Sequence, residues 1–196
     1  MKFKKIIAGA FAVMMTVATA MSASAVINYT QNWNNGHGTS SLQDLGGGHY
    51  KATWTKSSGY SDFNCVIGAG CKPGAANKTI GYNLGQLTNS SGGGCIYWSL
   101  YGWTTNSLIE YYVMESYINY KPAEGTKLGT INSDGGTYDV WKHQQVNQPS
   151  ISGTQTFWQI FSLRQSPVTA PSGSRTITFQ NHVNGWKNMG FNLGSN

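Results

Sequence analysis

The 196-residue chain carries 13 Lys and Arg against 7 Asp and Glu, a formal charge of +6. Only 10% of its residues are charged while 13% are aromatic, and the basic residues form no cluster, which excludes a nucleic-acid interface built on a concentrated basic patch. Cys65, Cys71 and Cys95 are too few for a disulfide scaffold, and His37, His49, His143 and His182 lack ligand spacing, so neither a metal nor a cofactor is expected.

The first 25 residues read as a secretory leader. Lys2, Lys4 and Lys5 form the charged end, Ile6 to Ala20 is apolar, and Ala23-Ser24-Ala25 is a small-residue cleavage pattern, which makes Val26 the expected mature start. Without those lysines the formal charge falls from +6 to +3. A single domain is expected over 26–196, secreted and extracellular, with no membrane partner. Asn28, Asn77 and Asn89 head glycosylation sequons, which matter only in a eukaryotic secretory path.

From Ile27 onward, short strand-like runs alternate with turn clusters: "GGGHYKATW", "NKTIGYNLG", "SSGGGCIYWSLYGW", "IEYYVMESYINY", "KLGTINSDGGTYDVWKH" and "TQTFWQIFSLRQ". That rhythm predicts an all-β sandwich. Within "SLIEYYVMES", alternation places Glu110, Tyr112 and Met114 on one face and Ile109, Tyr111, Val113 and Glu115 on the other. Ser133-Asp134-Gly135-Gly136 predicts a hairpin turn. The stretch "NQPSISGT", Asn147 to Thr154, predicts a longer hairpin tip in which Pro149 fixes the turn. "TFQNHVNGWKNMG" has helical spacing at Val183, Trp186 and Met189, with Thr178 as its cap and Gly190 as its end. One pairing among the three cysteines is possible, Cys71 with Cys95 or Cys65 with Cys71, and the spacing does not choose between them.

Aromatic residues recur where a solvated sheet face would carry Lys, Glu and Thr: Trp33, Tyr50, Trp54, Tyr82, Tyr97, Tyr101, Trp103, Tyr112, Tyr138, Trp141 and Phe157. Ordinary core packing accounts for some. Each buried tyrosine hydroxyl needs a partner, however, and so many tyrosines fit a groove that stacks sugar rings.

"NYTQNWNNG", "WSLYGWTTNSLIEYYVMES", "SDGGTYDVW", "VNQPSISGTQTFWQIFSLRQS" and "TITFQNHVNGWKNMGFNLGSN" resemble, in order, the segments of glycoside hydrolase family 11, the secreted endo-1,4-β-xylanases. The resemblance is weakest from Thr55 to Asn83. It implies a β-jelly-roll of two curved antiparallel sheets with one short helix, a concave cleft for xylan, and the "NQPSISGT" hairpin as a thumb over that cleft. A related jelly-roll cellulase is disfavoured by the thumb motif.

By that resemblance Glu110 is the nucleophile. Tyr101, Tyr112 and Gln159 are its cleft partners, Trp33 stacks a xylose ring, Trp103 supports the wall, and Pro149 and Ile151 close over the chain. Asn64 matches the position beside the acid/base, where asparagine rather than aspartate goes with neutral to alkaline optima. Gln145 stands where most members carry an arginine. Glu115, on the other face, is expected to be structural and paired with Arg164. The family's acid/base glutamate has no counterpart here, so the chain is expected to lack its C-terminal strand and to be poorly active. The reaction implied is retaining endo-hydrolysis of 1,4-β-xylosidic bonds by a monomer, acting on xylan and xylooligosaccharides. The alternative is a non-catalytic xylan-binding protein on the same fold.

Overall fold

The computed structural model describes residues 27–90 and 92–194. The expected leader and Val26 lie outside the described residues. Eleven strands and one helix follow in order: β1 Tyr29–Asn34, β2 Gly38–Gly46, β3 His49–Lys56, β4 Cys65–Gly70, β5 Thr79–Asn83, β6 Ile96–Thr104, β7 Ile109–Ile118, β8 Thr126–Ser133, β9 Gly136–Ser150, β10 Gly153–Arg164, β11 Ser174–Thr178 and α1 Phe179–Asn188. A five-stranded sheet ordered β6-β7-β10-β9-β8 is the largest among the described residues, the ribbons β1-β4 and β2-β3 lie against each other, and β5-β11 adds Ile80, Tyr82 and Ile177 to the core of the five-stranded sheet. All pairings are antiparallel except β7 with β10, which run parallel. This is the expected all-β sandwich with open sheet edges and a single helix among the described residues.

At the centre of the sheet β7 and the second half of β10 are buried on both faces, which explains why these strands do not alternate into exposed polar residues. On one face Ile109, Tyr111 and Val113 of β7 meet Tyr138 and Val140 of β9, Ile160 of β10, and Phe179 and Trp186 of α1. On the other, Met114, Phe161 and Leu163 form a second cluster with Tyr112, Tyr117 and Trp141 against it. Fully burying each of these large side chains stabilises the fold by roughly 1.5–3 kcal/mol.

The expected hairpin closes β8 to β9 through Asp134 (φ 48°) and Gly135 (φ 70°), the two positive-φ residues of a type I′ turn. Thr178 occupies the N-cap position of α1, but the expected side-chain cap is absent. Its backbone N–H and its hydroxyl both donate to the Asp134 carboxylate, each at 2.8 Å, so the turn anchors the start of the helix. Gly190 (φ 80°) follows the last helical turn as expected. Gly190 N–H donates to Lys187 O and Phe191 N–H to Trp186 O, both at 2.9 Å, the paired bonds of a Schellman stop.

The "NQPSISGT" hairpin is tighter than its sequence suggests. β9 continues through Pro149 to Ser150, and Pro149 pairs with Thr154, so the turn is Ile151-Ser152 rather than a loop fixed by Pro149. Ser150 Oγ organises it, donating to Gly153 O at 2.7 Å and accepting from Ser152 N–H at 3.0 Å. All three cysteines are free, Cys65 and Cys71 half-buried and Cys95 exposed.

Candidate active site

Strand register assembles the site. Trp103, Glu110, Gln159 and His143 lie side by side across β6, β7, β10 and β9, and Tyr101, Tyr112, Phe161 and Trp141 form the adjoining row. Tyr101 and Tyr112 rings are 5.1 Å apart, and Tyr112 stacks on Phe161 at 4.6 Å.

Glu110 is 7% exposed, and its two oxygens face different donors. Oε1 accepts from Tyr101 Oη at 2.8 Å, and Oε2 accepts from Gln159 Nε2 at 2.6 Å. Each donor is itself held. Trp103 Nε1 donates to Tyr101 Oη at 2.6 Å, and Gln145 Nε2 donates to Gln159 Oε1 at 3.0 Å. Two donor chains therefore converge on one carboxylate, and the ionised form is the one that accepts on both oxygens. Burial, then the neighbouring Glu110 carboxylate, raises the pKa of Tyr101 and Tyr112 well above the ordinary tyrosine value, so both remain hydroxyl donors.

Gln145, at the base of the thumb, thus acts on Glu110 only through Gln159. Trp103, expected to support the wall, packs on Phe157 at 4.8 Å and orients Tyr101. Beside this centre lies a cavity of about 170 Å³, lined by Tyr112, Gln145, Gln159 and Phe161 and also by Tyr97, Tyr120, Pro122 and Glu124. The last four were not legible as site residues. Tyr97 was visible as one aromatic among many, and Glu124 lies in a loop whose path depends on how Gly125 packs over Lys142 and His143 of β9.

The other expected residues sit further out. Trp33 is 39% exposed on β1. Tyr29, on the same strand, is near enough to act electrostatically on Tyr101. Asn64 is exposed at the end of β4, and its backbone exchanges hydrogen bonds with Asn35. Among the described residues no hydrogen bond joins Asn64 or Trp33 to Glu110. Ile151 is 55% exposed at the thumb turn.

Glu115 lies on the opposite face, as alternation requires. It is fully buried, accepts from Arg164 Nη1 at 3.0 Å and from Tyr82 Oη at 2.7 Å, and is also bonded to Tyr138 Oη. The other acids have partners other than Glu110 and its donors: Asp44 with Gly46 N–H, Asp62 with His37, Glu124 on the cavity wall with Tyr120, Asp134 with Thr178, and Asp139 with Lys121 and Lys127.

The model of glycosyl hydrolases family 11 matches residues 25–196. A bifunctional xylanase/xylan deacetylase of Cellvibrio japonicus is 43% identical over 189 residues, covering 91% of this chain and 28% of that protein. Endo-1,4-beta-xylanase B of Talaromyces funiculosus is 44% identical over 178 residues, covering 90% of this chain and 58% of that protein. The chain therefore spans less than two thirds of the length of either relative. A solved structure from a comparison of two major endo-1,4-beta-xylanases of Trichoderma reesei superposes with a TM-score of 0.70 at 40% identity, covering 86% of each chain. A cleft carboxylate held by tyrosine and glutamine on this sandwich, together with a match over nearly the whole described sequence, places the chain in family 11 of the glycosyl hydrolases.

Proposed function

We propose that the chain serves endo-hydrolysis of 1,4-β-D-xylosidic linkages in xylan and xylooligosaccharides, by a retaining mechanism in which Glu110 is the nucleophile. The observation that carries this reading is the double anchoring of the Glu110 carboxylate by Tyr101 and Gln159 at a cleft wall. A carboxylate fixed in this way keeps a set direction of attack, and orientation is a large part of catalytic power. In the retaining reaction it forms a bond to the anomeric carbon as the glycosidic oxygen leaves, and water then releases the sugar. Tyr101 holds the carboxylate, and Tyr112, whose ring lies 5.1 Å from that of Tyr101, stands ready for sugar hydroxyls. Trp33 offers a ring face to a xylose unit, while Asn64, Pro149 and Ile151 border the approach. The leader pattern supports secretion, and the protein is read as a monomer working outside the cell without nucleic-acid or membrane partners. No helix among the described residues is long and apolar enough to cross a membrane.

The departing oxygen needs a proton. Each of the other six carboxyl groups has a partner other than Glu110 and its donors, so we assign the general acid to none of them. That observation favours a second reading, in which the same cleft binds xylan without turning it over. One experiment separates the two. A xylobioside with a dinitrophenolate leaving group needs little acid assistance, so mass spectrometry of the intact protein should find a covalent glycosyl adduct on Glu110 and none in Glu110→Gln. Labelling elsewhere, or none, overturns the nucleophile assignment and leaves the binding reading.

A further inference from the structure

We infer that His37 and Asp62 are positioning residues: the hydrogen bond between them clamps the loop before β4 onto the turn between β1 and β2, and so sets Asn64 at the border of the cleft. This rests on the proposal that Asn64 borders the approach of the xylan chain, and it adds what holds Asn64 there.

β1 pairs with β4 as far as Asn34 and Cys65, one step beyond Trp33 and Val66. The pairing then continues past both strand ends. Asn35 N–H donates to Asn64 O at 3.0 Å, and Asn35 Oδ1 accepts from Asn64 N–H at 3.2 Å. Asn35 Nδ2 donates to Asp62 O at 2.6 Å, so one amide side chain holds the loop at two points. His37 adds the side-chain contact. Its Nδ1 lies 2.7 Å from Asp62 Oδ1, its ring stacks on Tyr60 at 4.1 Å, and its carbonyl accepts from Ser57 N–H at 3.0 Å. A ring nitrogen this close to a carboxylate oxygen carries the proton, so Nδ1–H donates to Asp62. Lys56 Nζ ties the same loop from β3, donating to Tyr60 O at 2.6 Å. Phe63 closes the seam, since a Cβ at Gly38 would come within 2.6 Å of its ring.

The loop has almost no core of its own. Residues 57–62 are exposed and only Phe63 is half-buried. Its course is therefore set by polar contacts at its rim, and such a segment opens locally at little cost to the rest of the fold. Asp62 stands two residues before Asn64, so a loop released at Asp62 takes Asn64 with it. The pair itself is accessible to water, with the Asp62 side chain 67% exposed and that of His37 32% exposed. An ion pair so placed adds little to global stability. Its effect is instead local, in holding a polar side chain where a ligand meets it, and a binding group held in place loses less on binding than one that must first be ordered.

The test is calorimetric titration of the full chain and its variants with xylohexaose, each variant first checked by thermal melting. Asn64→Ala should weaken binding about three- to tenfold, the scale of one hydrogen bond lost. His37→Ala should weaken it by a similar factor, roughly three- to tenfold, because it loses the pair and the Tyr60 stack together. In the double variant His37→Ala/Asn64→Ala the loss should match that of Asn64→Ala alone within about twofold, since both act through one contact. Asp62→Ala should behave as His37→Ala does, and it carries the same cycle if His37→Ala melts early. Asp62→Asn keeps an acceptor for Nδ1–H and should bind within about twofold of the wild type. Losses that add in the double variant overturn the inference and leave Asn64 at the cleft. So does unchanged binding in His37→Ala and Asp62→Ala beside a loss in Asn64→Ala, or an Asp62→Asn variant as weak as Asp62→Ala. If Asn64→Ala binds unchanged, or the wild-type chain does not bind, the cleft reading itself falls, and this inference falls with it.

Discussion

Glu110 and Glu115 belong to one strand, and alternation alone sends their side chains to opposite faces. At Glu110 the surrounding donors leave a carboxylate facing the cleft. At Glu115 they neutralise a buried charge with Arg164 and two tyrosines. Removing one member of a buried ion pair leaves the other uncompensated, so Glu115→Gln should destabilise the fold by about 3 kcal/mol. The denaturant midpoint should fall while xylooligosaccharide affinity of the folded protein stays unchanged. Equal loss of ligand binding would contradict the assignment of Glu115 to the far side of the sheet. Trp33→Ala should instead leave the midpoint nearly unchanged, since the ring is 39% exposed, and weaken binding by roughly 1–3 kcal/mol through lost stacking. The opposition of the two glutamates was legible because it follows from period two within one strand. Gln159 was legible as a partner of Glu110, 49 residues away, only through the family resemblance, and the bond from Gln145 that holds Gln159 across the β9-β10 hairpin was not legible at all.

The elements best marked in the sequence are those with local chemistry: the Asp134-Gly135 turn and the Gly190 helix stop, each set by positive φ. Strands β1, β2, β4 and β11 are absent from the strand-like runs of the sequence. β1, β2 and β11 are mostly exposed, β4 is only half-buried, and none carries a strong apolar alternation. The thumb was misjudged for a related reason. Proline marks turns, yet Pro149 sits one residue inside the strand end, where the hairpin is still paired. Helix α1 offers a case where two element-level effects compete. Gly185 lies within the helix, where alanine is preferred by about 0.5–1 kcal/mol. A Cβ there, however, would come within 2.4 Å of Ile131 Cδ1, in the core between α1 and β8. Overpacking of this kind costs about 1–3 kcal/mol, so it outweighs the propensity gain. Gly185→Ala should lower the melting temperature, and pairing it with Ile131→Val, which vacates that δ carbon, should recover part of the loss. A rise in melting temperature for Gly185→Ala alone would show that propensity wins and that Ile131 simply turns away.

On the scale of the whole molecule, two groups, one buried and one half-buried, give the fold an acid-sensitive profile with separable windows. His182 is completely buried on α1, edge-on to Tyr138, and burial lowers its pKa from 6.5 to about 4, with Asp134 opposing the shift. The unfolded chain then binds a proton more readily than the folded one between those values. The neutral imidazole's contribution is complete above about pH 6.5 and is lost as the pH falls toward 4, a change of about 3 kcal/mol. Asp139 titrates lower. Burial alone would raise its pKa, but Lys127, Gln165 and Lys121 outweigh burial and bring it from 3.8 to about 2. Its contribution is therefore present above about pH 3.8 and lost only as the pH falls from there to 2, roughly 2 kcal/mol. Unfolding free energy measured from pH 7 downward should show one decline between 6.5 and 4 and a second below 4. His182→Phe should flatten the first decline and leave the second, while Asp139→Asn should start from lower stability and shrink the second, to which Asp134, also held below the usual carboxylate value, still contributes. A first decline that survives in His182→Phe would place the sensitivity elsewhere, and the buried imidazole would then have to take up its proton as readily in the folded state as in the unfolded one.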